Sequence, residues 1–409
     1  MQPTKIHWAS LLTLIVLGLG IPVLWLIAFG MGVSSLIDLF TGESSPAAEM
    51  IGAASFFFLG LTLCASAWFV LQKVLKREQA DQFLHIPFAR WQAAVVIGVV
   101  VFGLGIGSVI AVTEIAWLGW LTLPMLTILV IVAPIWLVFG MGANGLETGP
   151  RWRFFAVFGL GLTAGPLLII LLELIILILA LLGVGVYLAV SQPSAADELM
   201  QLAQTLSTIT NEEEILNLLT PYITNPALIA SALGFIALIV PLIEELLKPL
   251  GVWLFAKRIE SPAQGFILGL LSGAAFALFE SLNASADGSV GWAAIAGARA
   301  GTSVLHITAS GLVGWGIVSA FKEKRIGRLA ASYIAAVLIH GVWNAAAAGT
   351  GIAALGETVG RPEWLFMYAP ALLCGLLVMG VGMFAVLLAS NRKLRRAKEK
   401  EKEQVQLSA

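Results

Sequence analysis

The stretch ALIVPLIEELLKPLGVWLFA, residues 237–256, carries charges in the middle of an apolar run. Three charged residues lie between its apolar ends: Glu244, Glu245 and Lys248. A charge at the centre of a membrane helix costs roughly 2.5–3.5 kcal/mol on insertion scales. Pro241 and Pro249 each remove a backbone hydrogen bond, which a bilayer tolerates only against protein or a water-filled cavity. The stretch therefore predicts a membrane-spanning segment that lines a hydrated pocket.

Apolar runs recur along the whole chain of 409 residues, of which 59% are hydrophobic and 11% charged. Runs of about twenty residues are typical of membrane helices, so we predict an all-α polytopic membrane protein and exclude a soluble multidomain protein. The ten predicted spans are about 9–32, 51–72, 91–113, 116–140, 154–190, 227–256, 263–285, 292–320, 329–349 and 366–390. Because Cys64 and Cys374 both lie in apolar runs, a disulfide framework and a Cys-x-x-Cys metal site are excluded.

The basic residues predict the orientation. If the N-terminus is cytoplasmic, 20 of the 23 lysines and arginines fall in the segments on the inner side of the membrane. Membrane proteins concentrate Lys and Arg in their cytoplasmic loops, so both termini are predicted to be cytoplasmic. Arg361 is the one basic residue assigned to the outer side, and the charged tail 391–409 is expected to contact acidic lipid headgroups.

The fifth span and the segment after it depart from this regular pattern. A helix over 154–190 would be about 55 Å long against a hydrocarbon core of about 30 Å, so it must tilt, break or project. Gly183 and Gly185 are the expected place for its outer end. In the acidic segment 191–226, Asn211 and Glu214 have the spacing of a capping box, which predicts a short amphipathic helix. That helix is either a surface connector or a lid over the site.

Eight ionisable residues lie within the spans, and seven of them fall between residues 244 and 340. The eight are Glu173, Glu244, Glu245, Lys248, Glu280, Arg299, His306 and His340. Glu244 and Lys248 are four residues apart and share a helix face, which predicts an ion pair, whereas Glu245 points about 100° away. The clustering predicts one polar site formed by spans six to nine.

Helical spacing also orders the remaining residues of these spans. Glycines at 265, 269 and 273 predict close packing against a neighbouring helix. In the eighth span, steps of three and four residues place Arg299, Ser303, His306 and Ser310 on one stripe. In the ninth span, His340 and Asn344 are four residues apart.

Two imidazoles and one carboxylate form the ligand set of several catalytic zinc centres. His306, His340 and Glu280 can supply that set, while Glu244 can act as general base on a water molecule that the metal activates. Asn344 or Arg299 can then stabilise the oxyanion formed at a peptide carbonyl.

The same residues permit functions of other classes. A buried ion pair or a histidine bonded to the backbone can be purely structural, and acidic, basic and imidazole groups also form the ion pathways of transporters. Such transporters often consist of two repeated halves. Here the polar groups occupy one half and no internal repeat is visible, which favours an enzyme over a transporter or a non-catalytic scaffold.

The four motifs in this half resemble those of the PrsW family of intramembrane proteases, which is related to the CAAX-protease and bacteriocin-processing group. In order, they are EELLK (244–248), FALFE (276–280), Arg299 with His306 and GWG (314–316), and HGVWN (340–344). The resemblance covers about residues 227–348, and the first five spans lie outside it. It implies a membrane-embedded peptidase of a bacterial plasma membrane, with a membrane-anchored substrate such as an anti-sigma factor.

The resemblance implies Glu244 and Glu245 as essential carboxylates. It places four further residues in the pocket: Glu280, His306, His340 and Asn344. The family is regarded as metal-dependent, which implies Zn²⁺, but its relatives have also been interpreted as metal-free glutamate peptidases in which His340 and Asn344 bind the oxyanion. Lys248 and Arg299 are expected to support the site in either mechanism.

The chain is accordingly divided into five regions. They are a five-helix membrane region of open role (1–190), an extracytoplasmic segment (191–226), a catalytic helical core (227–349), a last membrane helix with its preceding loop (350–390) and a charged tail (391–409).

Overall fold

The computed structural model describes residues 7–42, 45–84, 86, 88–284, 288–355 and 363–408. These residues form α-helices and short helical turns, and the only β contact among them is an isolated bridge between Phe83 and Pro150. The first eight helices are α1 Trp8–Thr41, α2 Pro46–Val74, α3 Arg90–Thr113, α4 Ala116–Ala143, α5 Arg151–Leu162, α6 Ala164–Ser191, α7 Pro193–Leu206 and α8 Glu212–Ile223. The others are α9 Pro226–Gly234, α10 Val240–Leu247, α11 Leu250–Phe255, α12 Pro262–Asn283, α13 Trp292–Glu323, α14 Ile326–Leu355 and α15 Glu363–Ser408.

Ten helical segments among the described residues are long and apolar enough to cross a membrane, which confirms the ten predicted spans. Helices α5 and α6 together form the fifth span, and α9 to α11 together form the sixth. Most apolar side chains of α6 are exposed, including Leu174, Leu179 and Leu182, as a lipid-facing surface requires. The protein is therefore an all-α, multi-pass membrane protein, and its orientation stays a prediction.

The fifth span breaks at a position that the sequence analysis did not predict. The expected end at Gly183 and Gly185 is wrong, because α6 continues through both glycines to Ser191. The break lies at Thr163, whose φ of −125° and ψ of −85° separate α5 from α6. Both glycines are exposed positions with open space around them, so nothing in their packing ends the helix there.

The chain forms two compact units. Unit 1 comprises 1–167, 245–336 and 380–409, and unit 2 comprises 168–244 and 337–379. Residues 1–6, 43–44, 85, 87, 285–287, 356–362 and 409 lie outside the described residues, so the predicted loop with Arg361 is not described.

Helix α12 is the centre of unit 1, and nearly all its residues are buried. Its glycines 265, 269 and 273 lie directly against the backbone of α13, because a Cβ at any of them would overlap a carbonyl oxygen of that helix. This confirms the close packing predicted from their spacing. The backbones of α12 and α13 are therefore in direct contact, which holds the polar side chains of the two helices close together.

The charged end of α15 belongs to unit 1. Asn391 Nδ2 donates to the carbonyl oxygens of Gly142 and Asn144, at 2.7 and 2.9 Å. Two turns further, Lys398 Nζ lies 2.5 Å from Glu147 Oε1. The predicted tail is thus a continuation of the last membrane helix that is bonded to the end of α4 and to the loop after it.

Unit 2 contains the segment predicted to be extracytoplasmic. Asn211 caps α8 as predicted, since its Oδ1 accepts from the backbone N–H groups of Glu213 and Glu214 at 2.9 and 3.3 Å. A second helix, α7, precedes it and was not predicted.

The sixth span is irregular at two places, and each lies beside a proline as the sequence predicted. Phe235–Ile239 form a wider helical turn before Pro241. Helix α10 ends at Leu247, and Lys248 and Pro249 form a turn before α11 begins. These breaks determine where the charged side chains of the span point.

Candidate active site

A buried ion pair lies at the end of α10 in unit 1. Lys248 Nζ is 2.8 Å from Glu245 Oε1, and both side chains are 0% exposed. The predicted partner of Lys248 was Glu244, on the assumption of an unbroken helix. Because α10 ends at Leu247, Lys248 leaves the helical register, and its observed ion pair is with Glu245, three residues before it.

Helix α12 supports this lysine in two ways. Ser272 Oγ donates to the carbonyl oxygen of Lys248 at 2.8 Å, which provides a hydrogen bond where the helix is interrupted. The ammonium group also lies 4.5 Å from the centre of the Phe276 ring, a cation–π contact. Phe276 is therefore more than a packing residue, and Ser272 is a site residue that the sequence analysis missed.

The network continues from Lys248 to α13. Its Nζ is 2.9 Å from His306 Nδ1, and His306 Nε2 is 2.7 Å from Glu280 Oε2. A lysine ammonium can only donate, so Nδ1 accepts and Nε2 carries the proton that faces Glu280. The other oxygen of Glu280 lies 3.0 Å from Arg299 Nη2. One chain of contacts thus links five side chains from α10, the turn after it, α12 and α13, with the neutral His306 between the pairs Glu245–Lys248 and Glu280–Arg299.

Burial changes along this network. Glu245, Lys248 and His306 are 0%, 1% and 3% exposed as whole residues, whereas the side chain of Glu280 is 34% exposed and that of Arg299 is 19% exposed. The Glu280 end is therefore the accessible end of the network. The edge of Phe276 packs on the ring of His306 with centroids 5.4 Å apart, which fixes the imidazole plane.

Unit 2 contains a second polar group, formed by α10 and α14. His340 Nε2 lies 3.7 Å from Glu244 Oε2, and the two side chains are 2% and 10% exposed. One turn beyond His340, Asn344 Nδ2 donates to the backbone carbonyl oxygen of Ile236 at 3.2 Å. Gly341 lies directly against the carbonyl oxygen of Ala237. The structure thus brings Glu244 within 3.7 Å of His340, whereas the side chain of Asn344 is hydrogen-bonded to a backbone carbonyl group.

The donor types suit a metal. Imidazole nitrogen and carboxylate oxygen are ligands that zinc takes, and two ligands of a tetrahedral zinc ion lie about 3.3 Å apart. His306 Nε2 and Glu280 Oε2 are 2.7 Å apart, so a small side-chain movement would let both reach one ion once Nε2 has lost its proton. The proton would then be on Nδ1, so Lys248 would have to be a neutral amine to keep its contact with that nitrogen. These two predicted ligands therefore fit a zinc ion.

The chain matches the family described as PrsW family intramembrane metalloprotease over residues 149–379, more than half of its length. The chain belongs to the PrsW family. It is thus an intramembrane protease, and the resemblance drawn from the four motifs is confirmed. No curated protein and no solved structure matches the chain.

The match also corrects the extent of the resemblance. The four motifs placed all of the first five spans outside it, but the matched region begins at residue 149 and so includes the fifth span and the segment 191–226. The PrsW region therefore begins with the broken helix α5–α6. Only the first four spans precede it.

Proposed function

We propose that this PrsW-family protease hydrolyses a peptide bond of a membrane-anchored protein by means of an activated water molecule. The observation that carries the proposal is the fully buried pair of Glu245 and Lys248, which continues through His306 to the accessible Glu280. Burying ions in a low-dielectric interior costs several kcal/mol per ion, and such groups in membrane spans are typically functional. A purely structural role would not need a network that ends at an accessible carboxylate.

Glu244 is the proposed general base. Its carboxylate would accept a proton from the attacking water and return it to the leaving amine. His340, 3.7 Å away, needs only a small movement to hydrogen-bond this carboxylate and orient it. In this proposal Glu245 holds Lys248 in place through the buried ion pair.

The metal-dependent form of this proposal uses Glu280, His306 and His340 as zinc ligands. When bound, zinc supplies a Lewis acid and lowers the pKa of a water molecule to about 7. Lys248 would orient the ring of His306 by accepting, as a neutral amine, from the Nδ1–H of the metal-binding tautomer. Arg299, paired with Glu280, would hold that carboxylate and place positive charge near the developing oxyanion.

A metal-free glutamate mechanism is the second candidate, and one observation favours it. The ammonium of Lys248 already lies within hydrogen-bond distance of both Glu245 and His306, so the site contains a buried cation of its own. In this form Glu244 activates water directly, while His340 and Asn344 bind the oxyanion.

The proposed partners are a membrane-anchored protein substrate, such as an anti-sigma factor, and the lipid bilayer. The proposed location is a bacterial plasma membrane with both termini in the cytoplasm. The distribution of lysine and arginine supports this orientation, because 20 of 23 lie in segments on one side.

The test is cleavage of a fluorogenic transmembrane peptide by the purified full chain in lipid nanodiscs. Glu244→Ala and His340→Ala should each reduce cleavage by at least about 10³-fold, which is typical when a group acting in the transition state is removed. Glu173→Gln is the matched control, since it alters a carboxylate of another span and should leave the rate within about twofold.

A chelator separates the two mechanisms. Loss of cleavage that added zinc restores supports the metal-dependent form, whereas cleavage that is indifferent to the chelator but lost in Glu244→Ala supports the glutamate form. Cleavage that survives both substitutions would refute the proposed site.

A further inference from the structure

The wider turn before Pro241 leaves one carbonyl oxygen without its helical partner. In this turn the N–H of Val240 reaches five residues back, to the carbonyl oxygen of Phe235. The next bond of the same kind would join the nitrogen of residue 241 to the carbonyl oxygen of Ile236. Residue 241 is proline and has no N–H.

Helix α14 supplies the missing contact. Asn344 Nδ2 donates to the carbonyl oxygen of Ile236 at 3.2 Å. Gly341, one turn earlier, lies against the carbonyl oxygen of the next residue, Ala237, where any Cβ would overlap it. One face of α14 therefore covers two successive carbonyl groups of the distorted turn. An unsatisfied carbonyl group in a membrane costs several kcal/mol, so this contact holds the two segments together.

We propose that Asn344 is a positioning residue that replaces the hydrogen bond lost at Pro241 and thereby sets the distance between His340 and Glu244. His340 precedes Asn344 by four residues and so lies on the same face of α14, while Glu244 follows Pro241 by three. A fixed contact at Ile236 therefore determines the separation of 3.7 Å between His340 Nε2 and Glu244 Oε2. In this role the amide of Asn344 bonds to the protein, so that in the metal-free mechanism His340 would bind the oxyanion without it. The inference rests on the proposed function, because it assigns the pair Glu244–His340 to the reaction.

A double-mutant cycle tests the proposal by combining changes at Asn344 with a change at Pro241, the residue that lacks the N–H. In the wild-type background, Asn344→Ala should lower kcat about 10²-fold and leave KM within about twofold, because the catalytic groups are displaced while substrate binding is retained. Pro241→Ala restores an N–H that can bond to the exposed carbonyl. In that background, Asn344→Ala should cost less than about threefold. Asn344→Asp, which keeps the size but loses the donor, should behave as Asn344→Ala does.

Hydrogen exchange of backbone amides over residues 235–244, followed by mass spectrometry, provides a readout that needs no cleavage. Asn344→Ala should increase exchange in this segment, and Pro241→Ala should suppress that increase. Thr350→Ala is the matched control, because Thr350 bonds only to Ala346 of its own helix among the contacts observed for it, and it should change neither measurement.

The outcomes separate this inference from the proposed function. If Asn344→Ala lowers kcat equally in both backgrounds and leaves exchange unchanged, the amide acts on the substrate and the inference is overturned. Increased exchange without a loss of kcat also overturns it, because the contact would then be structural only. If the wild type does not cleave the peptide, the proposed function fails, while the exchange cycle still decides whether Asn344 compensates for Pro241. If Pro241→Ala does not fold, Asn344→Asp in the wild-type background must raise exchange and lower kcat together, or the inference fails.

Discussion

Replacing Lys248 by methionine removes a buried cation while keeping a side chain of similar length. The ammonium lies 2.8 Å from Glu245 Oε1 with both side chains 0% exposed. At an effective dielectric constant of about 20, this separation corresponds to an attraction of about 6 kcal/mol. Breaking one side of a buried pair typically costs about 3–5 kcal/mol, because the other charge stays buried. The lost contact with the Phe276 ring, at 4.5 Å, adds up to about 2 kcal/mol.

We therefore expect Lys248→Met to lower the free energy of unfolding by about 4 kcal/mol, measured by titration of the full chain in mixed micelles with a denaturing detergent. Glu245→Gln in the same chain should recover most of this loss, because the double variant contains neither buried charge. The control is Lys73→Met, since Lys73 pairs with Asp81 at a similar distance of 2.7 Å but with side chains 22% and 55% exposed. That change should cost less than about 1 kcal/mol. Equal losses for Lys248→Met and Lys73→Met would refute the reasoning that burial makes the Glu245–Lys248 pair important.

Two further predictions concern packing and pH. Gly273→Ala should destabilise the protein by about 1–3 kcal/mol and reduce cleavage, because the added Cβ would displace the backbone of α13 at His306. The control is Gly183→Ala, which has open space around it and should lose no stability. Equal thermal midpoints for the two variants would contradict this prediction. Burial, and to a smaller extent the charge of Arg258, lowers the pKa of His7 below its ordinary value of 6.5. The folded state therefore binds fewer protons than the unfolded state. The stability that His7 contributes above about pH 6.5 is thus lost as the pH falls. His7→Gln should therefore flatten the decline of the thermal midpoint between about pH 7 and pH 5, and an unchanged decline would show that His7 does not contribute to it.

The spans and the motifs were readable from the sequence because they depend on local composition. A bilayer of about 30 Å demands about twenty apolar residues per helix, so the ten spans could be recognised one at a time. The glycines at 265, 269 and 273 also followed from local spacing, since residues four apart lie on one helix face. The N-cap at Asn211 could be predicted from four consecutive residues, because its side chain bonds to backbone N–H groups two and three positions later.

The irregular elements were harder to place, because spacing rules assume an unbroken helix, whereas Pro166 and Pro249 each lack an N–H close to a break. Thr163 breaks the fifth span, although Gly183 and Gly185 are intrinsically weaker helix formers. In a membrane, the apolar surroundings keep the backbone hydrogen bonds of α6 intact at both glycines, so intrinsic propensity does not predict the end. The pairing of Lys248 was missed for a related reason, since a spacing of four residues predicts contact only in an unbroken helix.

The sequence by itself determined that this chain spans a membrane many times and carries acidic, basic and imidazole groups in spans six to nine, because hydropathy and charge belong to the residues. Only the tertiary structure decided which of these groups touch. Lys248 bonds to His306, and Asn344 bonds to Ile236, across 58 and 108 residues of chain. These contacts depend on how the ends of broken helices meet the neighbouring helices, and residue spacing within one helix contains no information on that.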